Sequence, residues 1–156
     1  MNGVTFIDTS VLCNIVPVPG RDQDAAMVKE QLKARLQTDV FILPITAVIE
    51  TGNFVAQLSD GRVRRATAEK LANILRLVCE GKAPWTLHNV RWDMPFLARL
   101  LDGADTGVDI VMLAEQQLGL GDLCILTERQ IYEANSRIKA TIWSLDAQLN
   151  AYSPQT

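Results

Sequence analysis

The sequence predicts an α/β protein with a central, mostly parallel sheet flanked by helices. Three observations predict it. Short apolar, β-branched runs at 4–7, 40–43 and 139–143 alternate with longer helical segments, the pattern of strands joined by helical crossovers. Those runs read as buried strands rather than half-solvated ones. An acidic residue also stands at or just after the ends of the first and last of these runs, Asp8 and Asp146, where open α/β sheets bind their ligands.

Composition bounds the answer. The 156 residues fit one domain, 1–156, with a sizeable core. There is no internal repeat, no low-complexity tract and no linker long enough to divide it. A hydrophobic fraction of 48% with 21% charged residues excludes an intrinsically disordered chain. The net charge of -3 gives no general pull toward nucleic acid, so a nucleic-acid ligand would need local basic groups or bound metal. Cys13, Cys79 and Cys124 form no CxxC pair and read as small buried hydrophobes in a reducing compartment. The start of the chain lacks a basic stretch followed by an apolar one. No run approaches the roughly 18 to 20 apolar residues of a membrane span. The expectation is a cytoplasmic protein with no membrane partner.

Val4-Thr5-Phe6-Ile7 leads into Asp8, and Ser10 is placed to cap a short helix from about Val11 to Val16, which Pro17, Pro19 and Gly20 break. Over 22–37 the helical period puts Ala25, Val28, Leu32 and Leu36 on one face. Val40-Phe41-Ile42-Leu43 is the second strand, stopped by Pro44. Thr46 is then the expected cap of a helix running to about Leu58. After the turn Ser59-Asp60-Gly61, the segment 62–80 is helical, with Leu71, Ile74, Leu75 and Val78 inward. From 81 to 107 the pattern weakens: Trp85 to Val90 is a candidate short strand, and Pro95 to Leu101 a helix. Val108 to Leu118 reads as an apolar helix, and Asp122 opens another that ends near Asn135. Lys139 to Trp143 is the last strand, followed by Ser144-Leu145-Asp146.

Asp8, Glu50, Asp122 and Asp146 are the candidate site. Asp8 and Asp146 follow strands, while Glu50 and Asp122 lie on helices that can aim at the same rim. Their convergence must be tertiary, because they lie far apart in sequence. Two carboxylates about 4 Å apart at an effective dielectric near 20 repel by roughly 4 kcal/mol, so a gathered set takes up protons or a cation. With oxygen donors and no cysteine or histidine nearby, Mg²⁺ or Mn²⁺ is favoured over zinc. Such ions support phosphodiester hydrolysis.

The ordered segments Phe6-Ile7-Asp8-Thr9-Ser10, Leu43-Pro44-Ile45-Thr46-Ala47-Val48-Ile49-Glu50, Gly121-Asp122-Leu123 and Thr141-Ile142-Trp143-Ser144-Leu145-Asp146 resemble the PIN-domain nucleases. Among these, the VapC-type toxins of toxin–antitoxin pairs are the nearest in kind. The resemblance implies a PIN-like three-layer fold and a Mg²⁺- or Mn²⁺-dependent endoribonuclease. Asp8, Glu50, Asp122 and Asp146 would be its catalytic, metal-binding quartet, with Ser10 and Ser144 as accessory hydroxyls. It further implies an RNA substrate, an antitoxin protein and a homodimer. The chain departs from the family in carrying Leu123 where a small residue usually follows the third acid. It has Leu149 where an aromatic is common, and a longer stretch from 81 to 107.

Two other function classes compete. One is a PIN-like scaffold that binds within an RNA-processing complex without cutting. The other is a small-molecule phosphohydrolase, whose haloacid-dehalogenase form wants Asp-x-Asp, where this chain has Ser10. For RNA binding, Arg62, Arg64 and Arg65 form the candidate basic cluster, either across a groove from the acids or simply solvated. His88 reads as structural, Thr127 and Glu128 as helix surface. Trp85, Trp92 and Trp143 read as core or subunit contact.

Overall fold

A computed structural model describes residues 3–152, so positions 1–2 and 153–156 of the expected domain lie outside the described residues. The chain order is β1 (Gly3–Ile7), α1 (Thr9–Ile15), α2 (Ala25–Arg35), β2 (Asp39–Ile42), α3 (Ile45–Ala56) and α4 (Gly61–Cys79). It continues through β3 (Trp85–Thr86), α5 (Met94–Leu101), α6 (Ile110–Glu115), α7 (Leu120–Ser136), β4 (Ala140–Trp143) and α8 (Ala147–Tyr152).

The four strands form one all-parallel sheet in the order β3-β2-β1-β4. Phe6 of β1 is in register with Ile42 on one side and Ile142 on the other. Alternation along each strand then divides the core in two. Phe6, Ile42 and Ile142 face the layer of α5, α6 and α7, through residues such as Phe96, Leu113 and Ile125. Ile7, Phe41, Leu43 and Trp143 face α1 to α4, through Val11, Leu12, Val28 and Leu71. The result is a three-layer α/β structure, as expected. From β1 the chain builds outward through β2 to β3, then returns to lay β4 on the far side of β1. The carboxyl ends of β1 and β4 therefore flank the point where winding reverses, the place where such sheets form a crevice. Among the described residues no helix is long and apolar enough to cross a membrane.

Several local expectations are corrected. The cap of α1 is Asp8, not Ser10: its side chain accepts from the Ser10 N–H, and Ser10 is the helix's second residue. Pro44 rather than Thr46 precedes α3, and Thr46 is buried within it. Proline supplies the extended backbone a helix entry needs without spending a donor. Asp122 sits in the first turn of α7, which starts at Leu120. The strand at Trp85 is two residues long, because β3 is an edge strand with one neighbour to pair with. On α2 only Val28 is fully buried, and Leu36, beyond its end, is exposed. Cys79 is exposed, unlike Cys13 and Cys124. Thr127 and Glu128 are not helix surface. Both are 0% exposed, because α7 is covered on several sides.

Candidate functional site

Asp8 ends the central strand with its backbone N–H bonded to the Trp143 carbonyl of β4 at 3.0 Å. The acid is thus fixed at the seam between the two strands that flank the reversal. Its side chain is 2% exposed. Oδ2 accepts from the Ser10 hydroxyl and from the Ser144 hydroxyl, each at 2.7 Å. Those hydroxyls are themselves held. Ser10 Oγ accepts the Leu145 N–H at 3.0 Å, and Ser144 Oγ accepts the Asp146 N–H at 2.9 Å. The two serines therefore relay backbone donors of the β4–α8 turn onto one oxygen of Asp8. The other oxygen, Oδ1, is buried with no hydrogen-bond partner among the described residues. A buried carboxylate oxygen left so costs about 1–3 kcal/mol unless something else meets it.

The remaining acids come from three elements. Glu50, in the middle of α3, accepts the Thr9 hydroxyl at 2.6 Å through Oε1. Asp146 takes the Gln148 N–H at 2.9 Å and so starts α8. Asp122 projects from the first turn of α7, where negative charge complements the helix dipole. All four line one pocket of about 400 Å³. Burial, then the charges of Asp8, Asp146 and Glu50, and a side-chain hydrogen bond with Asp146, push the Asp122 carboxyl up to about 7. The helices approach closely here: a Cβ added at Gly121 would collide with the Glu50 carboxylate.

Every residue of the predicted quartet thus reaches one pocket, with Ser10 on its wall and Ser144 bonded to Asp8 beneath it. Among the described residues no three acidic, histidine or cysteine side chains stand close enough to hold an ion as they are. The donors nonetheless suit a hard cation. The acids offer only oxygens, one of them buried and unpartnered among the described residues, and burial with neighbouring negative charge pushes another carboxyl up to about 7. The Cys13 thiol also lines the pocket, against the expectation of no cysteine nearby, and lies 3.8 Å from the Thr51 hydroxyl.

Arg62, Arg64 and Arg65 are not brought to this pocket. They lie exposed at the start of α4, where Arg64 donates to the Leu58 carbonyl at 2.7 Å and Arg65 pairs with Glu69 at 3.2 Å. Among the described residues, the cation lining the acidic pocket is Arg21, whose guanidinium lies 3.4 Å over the Phe54 ring. Neither residue stood out in the sequence. The one available signal was the spacing of Phe54, one turn after Glu50 and so on the same face of its helix.

Comparison of the chain with protein-family models, with curated proteins and with solved structures finds no match.

Proposed function

We propose that this protein is a Mg²⁺- or Mn²⁺-dependent endoribonuclease that hydrolyses phosphodiester bonds, the toxin of a type II toxin–antitoxin pair. The observation that carries the reading is the gathering of Asp8, Glu50, Asp122 and Asp146 about one pocket at the sheet's reversal point, with Asp8 Oδ1 buried and unpartnered. The four acids would hold the ion, which when bound polarises the phosphate and activates water for in-line attack. The chain's own groups do the rest. Ser10 and Ser144 lock the Asp8 carboxylate by occupying Oδ2, while Oδ1 has no hydrogen-bond partner among the described residues. Thr9 restrains Glu50 in the same way. Asp122, whose carboxyl burial and the neighbouring acids push up to about 7, would have to be deprotonated to serve as a ligand.

The toxin reading brings an RNA substrate, an antitoxin protein and a homodimer. For the last, α5 and the adjoining α6 expose Met94, Leu97, Leu101, Val111 and Met112, with Trp92 beside them, more apolar surface than a monomer comfortably carries. Sedimentation at tens of micromolar protein should give a dimer, and a monomer there would remove that part.

A cleavage assay tests the enzyme. Structured and single-stranded RNA should be cut in Mg²⁺ or Mn²⁺, not in EDTA, and not by Asp8→Asn. RNA that is bound but never cut by the native chain would make this a binding scaffold instead.

A further inference from the structure

Arg21 is the unexplained cation of the acidic pocket. It sits in the loop between α1 and α2, and that loop is pinned rather than free. Val18 is buried at its start and bonds the Cys13 carbonyl through its N–H at 2.7 Å. At its end the Asp24 N–H donates to Asn14 Oδ1 at 2.9 Å, while Asn14 Nδ2 donates to the Ser10 carbonyl at 2.9 Å. Between these anchors a turn closes from the Arg21 N–H to the Val18 carbonyl at 2.9 Å. It passes through Gly20 at φ +84°, a conformation that favours glycine. The loop therefore delivers Arg21 to one place: over the ring of Phe54, one helical turn along α3 from Glu50.

Three features bear on its role. The guanidinium makes no ion pair with any of the four acids, so it is not spent as their counter-ion. Its N–H groups have no hydrogen-bond partner among the described residues. Its Cζ lies 3.4 Å from the centroid of an aromatic ring, a cation–π contact that holds the group in place while its donors stay unpartnered. A guanidinium held in place beside carboxylates, with its donors unpartnered, suits an anion that enters the pocket with a pair of acceptor oxygens. We infer that Arg21, held by Phe54, is the phosphate-binding subsite of this pocket: it grips the non-bridging oxygens of a backbone phosphate next to the bond that is cut. This rests on the nuclease reading and deepens it. It also accounts for how an acidic protein admits a polyanion without the arginines of α4.

The test is equilibrium binding of a labelled single-stranded RNA to Asp8→Asn protein in Mg²⁺, titrated over salt. Adding Arg21→Ala should weaken binding about tenfold or more, the loss of one charge-assisted bidentate contact. It should also flatten the salt dependence by about 0.7 log units in slope. Arg21→Lys and Phe54→Leu, which keep the charge but lose the stack or the fork, should keep the slope and still weaken binding. Alanine at Arg62, Arg64 and Arg65 together should leave the slope unchanged. In the otherwise native chain, Arg21→Ala should raise KM more than it lowers kcat. Its melting temperature and the rise produced by Mn²⁺ should match those of the native chain. An unchanged slope in Arg21→Ala, with cleavage by the native chain intact, overturns the subsite and leaves the nuclease standing. Loss of the Mn²⁺ response in Arg21→Ala overturns it too, since Arg21 would then be building the acid cluster. RNA that the native chain neither binds nor cuts overturns both readings together.

Discussion

Asp122 carries the clearest electrostatic signature in the molecule, and its sign fixes a prediction. A carboxyl raised from 3.8 to about 7 in the folded state holds its proton more tightly folded than unfolded. Its contribution to stability is then fully present below pH 3.8 and drains away as pH climbs to about 7. In EDTA, melting temperatures across that window should fall less steeply for Asp122→Asn than for the native protein. An identical slope would mean that neither burial nor the neighbouring acids raise this carboxyl. A second residue-scale prediction concerns Glu128, 0% exposed with neither oxygen hydrogen-bonded among the described residues. His88 Nε2 stands 3.5 Å from Glu128 Oε2, and its ring packs edge-on against Phe6 and Tyr132. Removing the imidazole alone strands a buried carboxyl, so His88→Ala should cost about 3 kcal/mol. His88→Phe with Glu128→Met should return the denaturant midpoint close to the native value, as apolar replacement of buried pairs often does. If the double variant were as unstable as the single, the carboxyl would be making contacts of its own. At this scale the acids at Asp8 and Glu50 were legible because a lone carboxylate in an apolar run needs a reason. Arg21 was not, since nothing local distinguishes it from other loop cations. Glu128 was misread because helical period alone does not reveal how many sides of a helix are covered.

Among the elements, α3 and α7 determine the site together. They meet where Gly121 lets the Glu50 carboxylate lie against the α7 backbone. Gly121 is the second residue of α7, where alanine gives up less backbone freedom than glycine, and the colliding group is the end of a flexible side chain. Gly121→Ala should therefore leave metal-free stability level or raised. By displacing Glu50 it should cut the Mn²⁺ response and RNA cleavage severely. Full activity in that variant would show that Glu50 works from another position. Helices and strands with strong periodicity were legible almost to their ends: α4, predicted over 62–80, spans Gly61–Cys79. The failures have separate causes. Both caps go astray by two residues because Ser10 and Thr46 are good caps by type, yet Asp8 and Pro44 already hold the entry position. The helix α8 went unpredicted, being six residues long and built on the Asp146 cap. In the weak stretch at 81–107 the helix is legible, α5 spanning Met94–Leu101 where 95–101 is expected, but the strand shortens to two residues, since an edge position rewards little pairing.

At the scale of the whole molecule, the order β3-β2-β1-β4 explains why acids from four separate segments reach one place. The reversal beside β1 opens a crevice, and the layers on either face supply α3 and α7 to its two walls. The architecture was legible in the sequence as alternating strands and helices, but the strand order was not, because pairing partners leave no local mark. Gathering unneutralised carboxylates opposes folding, so an ion that binds only the native arrangement should stabilise the entire chain. At a concentration 100 times its dissociation constant the gain is about 2.7 kcal/mol by mass action. For a chain of this size that raises the melting temperature by roughly 5–10 °C. Asp8→Asn is the informative control. Asparagine keeps an acceptor for the Ser10 and Ser144 hydroxyls and still caps α1, so the metal-free protein should hold its native stability or exceed it as repulsion falls. What the variant loses is charge at the buried, unpartnered oxygen, and with it most of the Mn²⁺-dependent rise. A variant that melted earlier without metal, yet rose with Mn²⁺ as far as the native protein, would show that Asp8 serves the fold and that the ion, if bound, sits elsewhere.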